Sequence, residues 1–296
     1  MSELFGWLSQ TDGRKVRKLA GVRPPRVEVQ QVATRSEAER PQDGGFPAEA
    51  LVPRAEIRST IQFDLKVADY RVRNVLDPLS LVGEQFRRLR ASLSLIQKQR
   101  GIKVVLVTSA GPGEGKTFAA CSLAGVLAQE PGRRVLLIDA DLRRPRAGKQ
   151  IGMKGDPGSV QGFAEVLRGE VALMDSIAGS LEGDLFFLPS GKIPTNPSEL
   201  LTSPVLEETL KTARSLFDWV VVDSPPVLAL SDAAVMAPVC DAIVFVVQAN
   251  VTPSKQAQEA VRRLGRERIC GIVLNRVKRV RSSSYYYHYY HDKGRA

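Results

Sequence analysis

Residues 103–117 read KVVLVTSAGPGEGKT, and this stretch decides the fold. Val104 to Thr108 form a run of strand length that is mostly β-branched, the pattern of a strand buried on both faces. The next residues turn through Gly111, Gly113 and Gly115, and residues 116–129 then carry helical spacing. A buried strand, a glycine-rich loop ending in Gly-Lys-Thr and a helix form a phosphate-binding loop. Ala110 stands where the generic pattern has its first glycine. The glycines allow tight turns with unshielded amides, and those amides plus the helix start suit phosphate oxygens. Pro112, Glu114 and Phe118 complete the expected nucleotide-contacting segment. Lys116 is expected at the terminal phosphates of ATP, and the Thr117 hydroxyl at Mg²⁺. A glycine turn with no ligand is the bland alternative, and the strand–loop–helix setting weighs against it.

Outward from the loop, the rhythm repeats. Strands are expected at 133–141 (RRVLLIDAD), 185–191, 219–226 (WVVVDSPP), 241–249 and 269–275. Helical patterns occupy 162–169, 197–217 and 252–264, and an earlier one carries Phe86, Leu89, Leu93 and Ile96 on one face. Apolar strands separated by helices predict an α/β domain, a doubly wound and mostly parallel sheet. The expected boundaries are a flexible arm over 1–79, the P-loop domain over 80–278 and a flexible tail over 279–296. Ligands of such sheets bind beyond the carboxyl ends of the strands. Asp139, Asp141 and Asp223 fall at those ends and are candidates for Mg²⁺, directly or through water. Each alone also fits a cap or loop acid. Arg143 and Arg144 suit a phosphate, an acidic surface or plain solvation.

Composition narrows the classes. The chain has 296 residues and a net charge of +10, which favours acidic partners without choosing among them. No helix-turn-helix, zinc pattern or other reading module is visible, so no specific nucleic acid partner is expected. Three scattered cysteines, Cys121, Cys240 and Cys270, indicate neither a disulfide framework nor zinc. No apolar stretch reaches the roughly 18 residues of a membrane span, and no signal peptide is visible. Leu4, Phe5, Trp7 and Leu8 beside Arg14, Lys15, Arg17 and Lys18 suit a docking segment or a weak lipid contact. Residues 23–60 have the composition of a linker.

Five of the six tyrosines, Tyr285, Tyr286, Tyr287, Tyr289 and Tyr290, lie together near the chain end. Such a cluster suits a presented phosphoacceptor, a sticky partner segment or a stacking surface for nucleic acid.

The P-loop SAGPGEGKT, the strands VLLIDADLRRP and VVVDSPP, the segment GKIPTNPSELLTS and the tyrosine cluster together resemble the bacterial tyrosine kinases of capsule and exopolysaccharide loci, the BY-kinase family. The resemblance covers roughly 80–296. It implies a P-loop fold related to the MinD and ParA ATPases, and autophosphorylation of the tail tyrosines from MgATP. It implies catalytic roles for Lys116, Asp139, Asp141 and Asp223, with Thr117, Asp139 and Asp223 at the metal. Asp141 is then the residue that orients or deprotonates the phenol, although Asp139 and Asp141 can exchange these jobs. Asn275 is implied as the reader of the adenine edge, with a strand-end cap as its alternative. Glu84, Arg87 and Arg90 match E-x-x-R-x-x-R, implying a homo-oligomeric ring. A membrane polysaccharide co-polymerase with an activating cytoplasmic tail is the implied partner, at the inner face of the cell membrane. A MinD/ParA-like regulatory ATPase is the competing reading. Those proteins have a signature lysine where this chain has Gly111.

Overall fold

The computed structural model describes Ser59 and residues 61–155 and 157–277. The tyrosine cluster and residues 1–58 of the expected 1–79 arm lie outside the described residues. An eight-stranded sheet organises the rest, in the order β1-β4-β5-β3-β6-β2-β7-β8. Its strands are β1 (Ile61–Phe63), β2 (Val104–Ser109), β3 (Val135–Asp139), β4 (Ala178–Ser180), β5 (Leu185–Leu188), β6 (Trp219–Asp223), β7 (Ala242–Gln248) and β8 (Ile269–Asn275). Every neighbouring pair is parallel except β4 with β5.

The four central strands are apolar without alternation because both of their faces are covered. Val105, Val107, Leu137, Val221 and Val244 join one core cluster with the P-loop helix. Leu106, Leu136, Ile138, Val222 and Phe245, one position away along their strands, are equally buried. Register then sets the functional edge. Asp139 on β3 lies opposite Asp223 on β6, and Asp223 lies opposite Val107 on β2.

Helices α1 (Tyr70–Leu76), α2 (Leu81–Arg100) and α3 (Lys116–Ala128) pack as a group. The α3 sequence KTFAACSLAGVLA has no polar stripe, as befits a helix enclosed on all sides. Gly83 is required where α2 crosses the end of α1, because a Cβ there would strike the Val75 carbonyl. Helices α4 (Ala147–Gln150), α5 (Phe163–Leu167), α6 (Pro197–Thr202), α7 (Pro204–Leu216), α8 (Asp232–Met236) and α9 (Ser254–Leu264) complete the described elements, apart from short 3₁₀ turns.

The structure departs from the sequence expectation in three places. Folded elements already occupy 61–76, inside the expected 1–79 arm: β1 pairs with β4, and Phe63, Val72 and Val75 are buried. A three-residue strand and a seven-residue helix are too short for periodicity to declare them. The single helix expected over 197–217 is two helices, because Pro204 holds Ser203 in extended backbone (ψ 149°). The hairpin-like β4–β5 pair adds an antiparallel step to the sheet.

Phe63, Val72 and Val75 together contribute roughly 5 kcal/mol of apolar burial. A chain beginning at residue 56, which keeps these three side chains, is therefore expected to melt cooperatively. One beginning at residue 80 should melt far lower or aggregate. Equal melting temperatures for the two would remove α1 from the core.

Candidate functional site

β2 delivers the chain to the P-loop, and α3 receives it. Gly113 and Gly115 both sit at positive φ, +79° and +97°, which a side chain would strain. The first amides of α3 have no preceding turn to bond and face outward as donors. The Gly111 amide is used differently: it donates to Glu114 Oε1 at 3.0 Å. Glu114 is folded under its own loop, and burial pushes its carboxyl pKa up against the pull of that amide. Asn275 Nδ2, at the end of β8, donates to the Glu114 carbonyl at 2.8 Å.

The acidic residues divide by their partners. Asp139 is fully enclosed; its Oδ2 accepts the amides of Arg146 (3.0 Å) and Ala147 (2.9 Å), and its Oδ1 the Asp141 amide (3.3 Å). Burial first, and then the Asp223 charge, raise its pKa well above the carboxylate range. Asp141 Oδ2 lies 3.1 Å from Lys116 Nζ, and both side chains are largely buried. Its Oδ1 accepts the Arg144 amide at 3.1 Å.

Asp223 is the exception. It is wholly buried, and neither carboxylate oxygen has a hydrogen-bond partner of ordinary geometry. Burial pushes its pKa up to about 7, while the Lys116 charge and the nearby Thr117 hydroxyl pull the other way. Two bare buried oxygens beside a buried hydroxyl suit a cation, because the charged form is otherwise costly. Among the described residues no three His, Cys, Asp or Glu side chains gather as a metal cage. A cation here therefore needs phosphate oxygens and water to complete its shell.

Lys116, Thr117, Asp139, Asp141 and Asp223 thus come together at one sheet edge, as expected. Three of the expected residues also have partners within the chain. Asp139 turns its own loop through the backbone amides that its carboxylate accepts. The Asn275 side-chain oxygen accepts the Arg276 amide at 2.9 Å, so the residue ties the end of β8 to the P-loop. The Phe118 ring packs edge-on against Phe86, centroids 6.0 Å apart.

The E-x-x-R-x-x-R helix face is also partly engaged inside the chain. Arg87 pairs with Glu84 at 3.0 Å and bonds the carbonyls of Asp77, Pro78 and Ser80. Arg90 donates to the Val126 carbonyl at 2.8 Å, clasping the end of α3. Sequence spacing missed a further device beside the site. Arg143 bonds Asp232 Oδ2 and Ser198, both at 2.8 Å, and Ser198 closes the triangle on Asp232 at 2.9 Å. Its three members are too far apart in sequence for any local pattern to join them.

Among the described residues no helix is long and apolar enough to cross a membrane. A family model described as an AAA domain matches residues 102–265. Tyrosine-protein kinase YwqD of Bacillus subtilis (strain 168) is 37% identical over 221 residues, spanning 73% of this chain and 91% of that protein. The kinase domain of Escherichia coli tyrosine kinase ETK superposes with a TM-score of 0.64 at 29% identity, over 77% of this chain and 95% of that one. The septum site-determining protein MinD from Pyrococcus horikoshii OT3, solved with Mg-ADP, shares the fold alone: TM-score 0.51, 22% identity, 60% of this chain and 72% of that one. A mostly parallel P-loop sheet of MinD type is therefore fitted here with kinase-like sequence through its nucleotide edge, and the chain belongs to the bacterial tyrosine kinase (BY-kinase) family.

Proposed function

We propose that this chain transfers the γ-phosphoryl group of MgATP to its own Tyr285, Tyr286, Tyr287, Tyr289 and Tyr290 and thereby regulates export or polymerisation of a capsule or exopolysaccharide. One observation carries the chemistry: Lys116 and Asp141 form a buried pair next to the bare carboxylate of Asp223. Helices on both faces of a doubly wound sheet would hold these groups at its edge. The P-loop amides and Lys116 bind the β- and γ-phosphates. Asp223 and the Thr117 hydroxyl would hold Mg²⁺, which when bound neutralises phosphate charge. Phosphate oxygens compete with Asp141 for Lys116, and the carboxylate they displace accepts the phenol proton. The tyrosine oxygen bonds to phosphorus as the bond to the bridging oxygen breaks, and ADP leaves. Asp139 acts on this chemistry by fixing the loop that carries Asp141. Asn275 serves nucleotide binding through the P-loop it braces.

Glu84 is half-exposed and is the E-x-x-R-x-x-R member best placed to meet a second copy. Arg87 and Arg90 would shape that surface from within, giving a homo-oligomer, possible as a ring. A membrane polysaccharide co-polymerase with an activating cytoplasmic tail is the expected partner. It would place the chain at the cytoplasmic face of the membrane. A regulatory ATPase of MinD type shares only the fold, and the test below separates it.

Full-length chain, MgATP and such a partner tail are expected to give phosphate on the 285–290 tyrosines by peptide mass mapping. Lys116→Met should reduce it by roughly 100-fold or more, with the fold retained. Hydrolysis without phosphotyrosine, despite an activating partner, would support the regulatory ATPase instead.

Asp223 adds a pH signature to the nucleotide-free protein. Between 3.8 and about 7 the folded chain holds a proton that the unfolded chain has lost. Stability must therefore fall as pH rises through that window, and Asp139 shifts in the same direction. Asp223→Asn is expected to raise stability at about pH 8 by ~1–3 kcal/mol and to do little at about pH 4. A gain of the same size at both pH values in thermal melts would contradict a buried, unpaired carboxylate.

A further inference from the structure

Tyr70 is the one tyrosine outside the terminal cluster, and it is 70% exposed. It opens α1, and the two residues before it, Ala68 and Asp69, have extended ψ values of 164° and 133°. Val72 and Val75 are fully buried, so the helix is anchored while the phenol faces water.

Beside this phenol lies an Arg71–Asp69 ion pair that leads toward the nucleotide helix. The Arg71 guanidinium lies 6.0 Å from the centroid of the Tyr70 ring and 6.0 Å from that of Phe118. Phe118 directly follows Thr117 in α3. Arg71 is held in place by a two-point bond to Asp69, at 3.0 Å and 2.7 Å. An exposed tyrosine on an anchored helix offers its hydroxyl to a second copy in solution. A phosphate there carries about −1.5 to −2 charges and would compete with Asp69 for Arg71.

We propose that Tyr70 is a second phosphoacceptor, modified by the active site of another copy of this chain. This inference rests on the autokinase reading. The phenol oxygen forms the new bond to the γ-phosphorus, the bond between that phosphorus and the bridging oxygen breaks, and ADP departs. The phenol proton passes to Asp141 of the copy that supplies the ATP. The buried anchor of α1 prevents Tyr70 from swinging out as a tail does, so transfer runs between copies.

The test mixes two full-length chains with MgATP and the activating partner tail. The donor is the unaltered chain. The acceptor is isotopically heavy and carries Lys116→Met, with the five clustered tyrosines changed to phenylalanine. Mass mapping should find phosphate on the heavy peptide containing Tyr70, with complete loss when Tyr70→Phe is added. Tyr70→Phe removes only an exposed hydroxyl, so folding is preserved. A parallel acceptor with Lys116→Met and an intact tail separates the two ideas. Phosphate on its tail with none on Tyr70 in either acceptor overturns this inference and leaves the autokinase standing. Phosphate on neither acceptor, nor on the donor's own tyrosines, sinks the autokinase reading and this inference with it.

Discussion

Asp223 is a carboxylate at the end of a central strand with no hydrogen bond to either oxygen. A protein interior normally satisfies such a group or neutralises it. Here the surroundings do neither fully. Lys116 pulls toward ionisation, burial pushes against it, and the group titrates near neutrality at about 7. The sheet register places this unresolved charge directly beside Asp139 and next to the start of the P-loop helix. The strand pairing that forms the core thus puts at this edge a carboxylate whose charge a proton or a cation must balance.

The groups around Asp223 are fixed by something other than its charge. Asp139 is tied to backbone amides, and Arg143 is locked to Asp232 and Ser198. Asn275 and Glu114 brace the P-loop from below. Helix α3 is enclosed along most of its length and clasped at its last turn by Arg90. Rigid supports let a few polar groups stay unpaired in a preorganised arrangement.

The parts visible in the sequence were those whose information is local. A mostly β-branched run, three glycines and the closing Lys-Thr lie within 15 consecutive residues, so β2, the loop and the start of α3 could be read directly. The aspartates were legible because they end apolar runs. What could not be read depends on distant partners. Asn275 meets Glu114 across 161 positions, and Arg143 meets Asp232 across 89. Nothing in spacing reveals that Asn275 ties β8 to the P-loop, or that Asp139 accepts three backbone amides. The segment 61–76 failed for another reason. Its elements are too short to show a period, and its apolar residues matter only because α3 needs a cover.

That cover also explains how the periphery can influence the site. Helix α1 contributes Val72 and Val75 to the core, yet its first turn sets Arg71 against Phe118, one residue after Thr117. On its other side α1 meets α2, where Gly83 permits close approach and Arg87 bonds the carbonyls that join the two helices. Arg90, one turn farther along, reaches the end of α3. A second copy docking on the exposed Glu84 would therefore press on a helix that contacts both α1 and α3. Contact between copies and nucleotide chemistry would then be coupled through packed helices, with no moving loop required.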